Sequence, residues 1–212
     1  MSDLICLVAD KNMEAVMEGL FARPQALNIH TIGYDVVVHP RRDPGCFHEA
    51  AEILKTYHSS HAHALALLDQ AWQGAPASTG LELEEMLRER FRRTGLYGWA
   101  EVVVIDPELE IWVFGDSPWV DRCLGWSGRN MPLRAWLRSE QLWPVAAQKP
   151  TVPKVAVERS LRELRRPRSS SIYRDLASNV SLDRCTDAAF LRLRALLQMW
   201  FPKFASEHDP SS

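Results

Sequence analysis

The feature that most constrains this chain is an alternation of two hydrophobic periods across its first hundred residues. Leu4-Ile5-Cys6-Leu7-Val8-Ala9 is a continuous apolar run, the pattern of a strand buried on both faces of a sheet. Residues 12–21 then place Met13, Val16, Met17, Leu20 and Phe21 at helical spacing, and Pro24 ends that stretch. A β-branched segment over 29–39 reads as a second strand and stops at Pro40. A helix is predicted over 47–57, with Ala50, Ile53, Leu54 and Tyr57 on one face, and a third buried strand over 63–68 that ends on Asp69. A small-residue loop over 74–80, a charged helix over 81–96 and a fourth strand over 101–105 complete the alternation. Strand, helix, strand in this order predicts an α/β fold with a four-stranded, mainly parallel sheet and right-handed crossovers.

After Asp106 the period of two disappears. Helices are predicted over 107–114, 119–124, 132–137, 153–165, 171–177 and 187–201, separated by Pro, Gly and Ser, with 143–153 as the internal linker. The expected organisation is an α/β domain over 1–116, a helical C-terminal extension over 117–205 and a frayed tail over 206–212. Hydrophobic residues at 46% and charged residues at 25% exclude a disordered or fibrous chain. Eight tryptophans point to a well-filled core or an aromatic interface. Cys6, Cys46, Cys123 and Cys185 form no C-x-x-C pair, which argues against a zinc ribbon and suits free thiols in a reducing cytosol. The longest apolar runs, such as 64–68, fall far short of the roughly 20 residues of a membrane span. No basic segment precedes the first strand, so neither a signal peptide nor a membrane partner is expected, and a cytoplasmic location is.

In a parallel α/β sheet ligands bind at the carboxyl ends of the strands, and acidic residues cluster there. Asp10 closes the first predicted strand, with Glu14 one turn into the next helix. Asp69 closes the third, and Asp106, Glu108 and Glu110 follow the fourth. Carboxylates converging from several strand ends are what a Mg²⁺ site for phosphoryl transfer requires, because hard cations take oxygen ligands. Asp at a strand-to-helix junction is equally a common N-cap, and Glu in a first turn suits the helix dipole.

These residues carry a resemblance. Val8-Ala9-Asp10-Lys11-Asn12-Met13-Glu14 resembles the V-E-G-x-T-E opening of TOPRIM (topoisomerase–primase) domains. Ala64-Leu65-Ala66-Leu67-Leu68-Asp69-Gln70-Ala71 resembles their later apolar strand ending in D-x-D. The segment 105–116, with Glu110, Trp112 and Asp116, is similar to the E-x-W-x-x-x-D helix of small stand-alone TOPRIM-like bacterial proteins, which are often encoded beside phage-defence or restriction genes. Pro153-Lys154 and Phe190-Leu191-Arg192-Leu193 are similar to the start and end of their helical C-terminus. The resemblance implies a TOPRIM-like α/β domain in a component of a bacterial defence or nucleic-acid-processing system. It also implies hydrolysis of phosphodiester bonds with Mg²⁺ or Mn²⁺, with nucleic acid and a protein of the same system as partners. Asp10 or Glu14 takes the general acid/base role, Asp69 that of principal metal ligand, and Glu110 and Asp116 stand as substitute ligands. The chain departs from the pattern at three places. Asp10 stands for the first Glu, Lys11 for the Gly after it, and Ala71 for the second Asp of D-x-D. The loss at Ala71 supports the alternative, a catalytically degenerate interaction or scaffold subunit of a defence complex.

The remaining candidates are less specific. His58, His61 and His63 form H-x-x-H-x-H, which suits a helix end better than any zinc spacing. Ser169-Ser170-Ser171 reads as a helix N-cap region, and Cys46 beside His48 reads as a buried thiol. The segment 149–174 carries eight basic residues against Glu158 and Glu163, in a chain whose formal net charge is −2. Arg159, Arg162 and Arg166 recur there at helical spacing and form a candidate phosphate-contacting stripe or, equally, a solvated helix face. A nucleic-acid-binding protein without catalysis is a third reading, resting on that stripe alone.

Overall fold

The structure is a computed structural model and describes residues 1–203; the tail expected over 206–212 lies outside the described residues. The chain runs β1 (Ser2–Val8), α1 (Lys11–Phe21), α2 (Pro24–Leu27), β2 (Tyr34–Val38), α3 (Arg42–Lys55), β3 (His61–Asp69), α4 (Gly80–Arg93) and β4 (Ala100–Ile105). All four strands pair in parallel in the order β2-β1-β3-β4. The two central strands are the most apolar runs of the sequence. Leu4 to Val8 and Ala64 to Leu68 are completely buried, as strands covered on both faces must be. Edge strand β2 is only half-buried and shorter than its β-branched sequence predicts. Ile29 leaves it to form an isolated antiparallel bridge with Pro202 instead.

After β4 the described elements are helices: α5 (Glu110–Val113), α6 (Pro118–Leu124), α7 (Leu133–Ser139), α8 (Pro153–Glu163), α9 (Ser170–Asn179) and α10 (Ala188–Trp200). The helix expected over 107–114 shrinks to the single turn of α5. The one expected over 153–165 ends at Glu163, and Arg165 beyond it has a left-handed backbone, φ 52°. Helix α9 packs along α1, and α10 packs against β4 and α2. Leu176, Leu193 and Leu197 therefore belong to the same hydrophobic core as Leu4 and Leu65.

The order β2-β1-β3-β4 means that the chain leaves β1 toward one edge of the sheet and leaves β3 toward the other. The crevice of such a sheet opens where the connections diverge, here between the carboxyl ends of β1 and β3. Asp10 and Asp69 flank that position.

Candidate active site

Asp69, the last residue of β3, is the centre of the site. The residue is half-buried, and its Oδ1 is buried with no hydrogen-bond partner. Its backbone amide donates to Oδ1 of Asp43 at 2.8 Å, which ties the first turn of α3 to the end of β3. The next two amides, of Gln70 and Ala71, donate to the carbonyl of Pro107 at 3.1 and 2.8 Å. The loop after β3 is thus fastened to the loop after β4. At Ala71, where D-x-D would place its second carboxylate, the chain offers only backbone.

Four further carboxylates act electrostatically on Asp69: Asp43, Glu110, Asp10 and Glu108, in decreasing order. Burial first, and this acidic company second, hold the Asp69 carboxyl well above the usual carboxylate range. Asp43 is raised by burial as well, against the opposing pull of the Asp69 amide and the Lys154 ammonium. Burial also raises Glu108, which accepts a hydrogen bond from the Lys154 backbone amide at 2.8 Å. Asp10 caps α1, its Oδ1 accepting from the amides of Asn12 and Met13 at 2.9 Å each. Glu110 is buried and accepts from the Tyr173 hydroxyl at 2.6 Å, while the Arg168 guanidinium closes on the same oxygen. Beside this pair, the Ser170 hydroxyl donates to the Asn12 side chain at 3.0 Å. The start of α9 therefore sits at the start of α1.

The sequence-selected residues distribute unevenly over this arrangement. Asp10 and Glu110 both act electrostatically on Asp69. Glu14 pairs with Lys11 at 2.7 Å. Asp116 stands apart in the loop between α5 and α6, 90% exposed and 4.0 Å from Arg184. Asp106 accepts from the Gly80 amide at 3.0 Å and so serves the start of α4. The basic stripe is not one helical face, because α8 ends before Arg166. Arg159 pairs with Glu140 at 2.9 Å, and Arg166 donates to the Cys123 carbonyl at 3.1 Å. Arg162 instead joins Arg165, Arg166 and Arg168 around a shallow basic pocket of about 580 Å³.

The three histidines diverge. His61 bonds Asp35 at 2.9 Å, His63 stacks on Trp200 and His58 tilts against Trp99. Cys46 is buried in the core, and His48 packs on Phe47 and Trp72. Among the described residues, no group of three or more His, Cys, Asp or Glu is arranged to hold a metal ion.

Sequence reasoning missed Asp43, Lys154, Tyr173 and Arg168. Asp43 was open to the rule that found Asp10, since it opens the helix after β2 at the same edge. The other three come from α8, α9 and the connection between them, more than forty residues downstream of β4, and nothing local ties them to this site. Compared with protein-family models, with curated proteins and with solved structures, the chain matches none. The geometry therefore stands on its own. It provides a carboxyl held above the usual carboxylate range, further carboxylates that act on it electrostatically, and the cations Lys154 and Arg168 nearby.

Proposed function

We propose that this edge of the sheet binds Mg²⁺ or Mn²⁺ and serves phosphodiester hydrolysis, as in a TOPRIM-like component of a bacterial defence or nucleic-acid-processing system. The observation that carries the reading is the unpartnered, buried Oδ1 of Asp69, on which four other acids act electrostatically. Unpaired carboxylates gathered at such a cost in desolvation are stabilised by a hard cation more than by any neutral ligand. Asp69, whose Oδ1 has no hydrogen-bond partner, is the principal ligand. A bound divalent ion supplies charge neutralisation for the phosphoryl oxygens. Asp10 is the group placed to accept a proton at the mouth of the crevice, with Glu14 one turn along. Arg168, held by Glu110, faces the pocket formed with Arg162, Arg165 and Arg166, which suits the backbone of a nucleic acid.

A second reading, the degenerate interaction subunit, draws on a specific observation. Glu110 is already neutralised by Arg168 and Tyr173, Asp10 is spent on the α1 cap, and Ala71 offers no carboxylate. One experiment separates the two. The melting temperature of the protein is measured with and without millimolar MnCl2, alongside cleavage of a labelled oligonucleotide. The enzymatic reading expects a Mn²⁺-dependent rise, by linkage about 2.7 kcal/mol at a hundredfold excess over Kd, lost in Asp69→Asn together with cleavage. A wild-type protein whose melting is indifferent to Mn²⁺ leaves the degenerate reading.

A further inference from the structure

Away from the acidic crevice, a pocket of about 590 Å³ opens between the loop preceding α6, the start of α7, the 143–149 segment and the loop preceding α10. It shares no lining residue with the acidic site. Three cations line it, Arg134, Lys149 and Arg184, and internal partners satisfy two of them poorly. Arg134 reaches the Gln148 carbonyl only at 3.5 Å and lies over the Trp143 ring, 4.6 Å from its centroid. Arg184 reaches the Asp116 carbonyl at 3.4 Å and its carboxylate at 4.0 Å, and remains 62% exposed. Such lengths are at the weak end of hydrogen bonding. Lys149 is mostly buried, donating to the Ile111 carbonyl at 2.8 Å with Asp187 at 3.8 Å.

Two acids, Asp116 and Asp121, share the lining, so three cations against two carboxylates leave it net positive. The Asp116 side chain is 90% exposed to water, and Asp121 accepts from the Leu133 amide. The lining is partly apolar, with Phe114 and Trp143 packed edge to face beneath it, both largely buried. Ligand pockets of about 300–1,000 Å³ with an apolar floor and a few convergent polar groups are the usual form of a small-molecule site. Guanidinium groups are matched in shape to phosphate oxygens.

We propose that this pocket binds a multiply charged organic phosphate of the nucleoside diphosphate class, with the phosphates on Arg134, Lys149 and Arg184 and the base against the apolar part of the lining. The site is independent of the acidic crevice and needs no divalent ion. The test is titration of the full chain with ADP in EDTA, followed by calorimetry and by tryptophan fluorescence, with adenosine and pyrophosphate as the other probes. Saturable binding of ADP, displaced by pyrophosphate, is expected. Arg184→Gln and Arg134→Gln should each weaken it about 10- to 100-fold, the ordinary value of a hydrogen bond to a charged group. Asp69→Asn should leave it unchanged. Arg184 is exposed and, among the described residues, is bonded to Asp116, so its variant keeps the fold, which an unchanged melting curve verifies. The proposal is overturned if wild type shows no saturable binding, or if both arginine variants bind like wild type. It also fails if adenosine binds as tightly as ADP, or if Asp69→Asn abolishes binding.

Discussion

Removing a carboxyl from water favours its protonated form, and Asp69 is removed from water at the end of β3 with one oxygen unpartnered. Its folded-state pKa is raised, so its contribution to stability is fully present below the unfolded value and is lost as pH rises through the folded value. Asp43 and Glu108 are shifted the same way. His39 and His63, held below the usual imidazole value chiefly by burial, act at the other end, costing stability as pH falls through the ordinary histidine range. The contribution of Asp69 is therefore read from a difference. Without divalent ions, the urea midpoint of wild type should fall relative to Asp69→Asn as pH rises from about 4 to neutrality. At neutral pH the variant should be the more stable by on the order of 1–3 kcal/mol, the cost of an uncompensated buried polar group. Equal midpoints for the two proteins across that range would show that Asp69 is not held protonated.

At the scale of elements, the contact that assembles the rim of the site is α1 against α9. It is close because Gly19 faces α9 without a side chain. A Cβ there would lie 2.8 Å from the Ala177 Cβ and 2.8 Å from the Arg174 carbonyl oxygen. Alanine in a helix is favoured over glycine by about 1 kcal/mol, whereas overpacking a tight contact costs about 1–3 kcal/mol. Because one of the two clashes is with backbone, packing should win. Gly19→Ala is expected to destabilise the protein by about 1–2 kcal/mol in urea unfolding, and Ala177→Gly in the same chain to restore part of the loss. A stabilised Gly19→Ala protein would mean that α9 can move off α1 at little cost. The same contact brings Ser170 to Asn12 and Tyr173 to Glu110, so Gly19→Ala should also displace the rim of the acidic crevice.

Across the whole molecule, the last helix is joined to the sheet through one buried charge. Glu84 on α4 is completely buried. It accepts from the Val104 amide at 2.9 Å, from Arg88 at 3.0 Å and from Arg192 of α10 at 2.8 Å. Arg88 continues to Glu101 on β4 at 2.9 Å, so α4, β4 and α10 share a single polar network. Removing its centre leaves the Val104 amide unsatisfied and Arg192 without its carboxylate, while Arg88 keeps Glu101, a change of the kind that costs about 3–5 kcal/mol. Glu84→Ala should fall toward the lower figure, because Arg88 and Arg192 are each about one-third exposed and can turn to water. Arg192→Ala should cost clearly less in the same denaturation series. Equal costs would place the energy in the α10 contact and not in the buried carboxylate. Among the described residues, no helix is long and apolar enough to cross a membrane.

What the sequence determined by itself is local and periodic. The runs Leu4–Val8 and Ala64–Leu68 had to be strands buried on both faces, because continuous apolar segments of that length between helix-period stretches have no other place to go. Asp10 and Asp69 were legible for the same reason, since each ends such a run. Asp106 was legible too, but its use was not: it bonds Gly80 instead of facing the crevice. The extent of β2, the early end of α8 and the reduction of α5 to one turn depended on partners distant in the chain. The site itself was decided by tertiary structure. Whether an acid at a strand end is merely a cap or carries an abnormal proton depends on how much water and how many charges surround it. At Asp69 that environment is made by Asp43, Glu108 and Glu110, held in place by Lys154, Arg168 and Tyr173. A period in sequence records which face a residue presents; it cannot record which distant helix will arrive to cover that face.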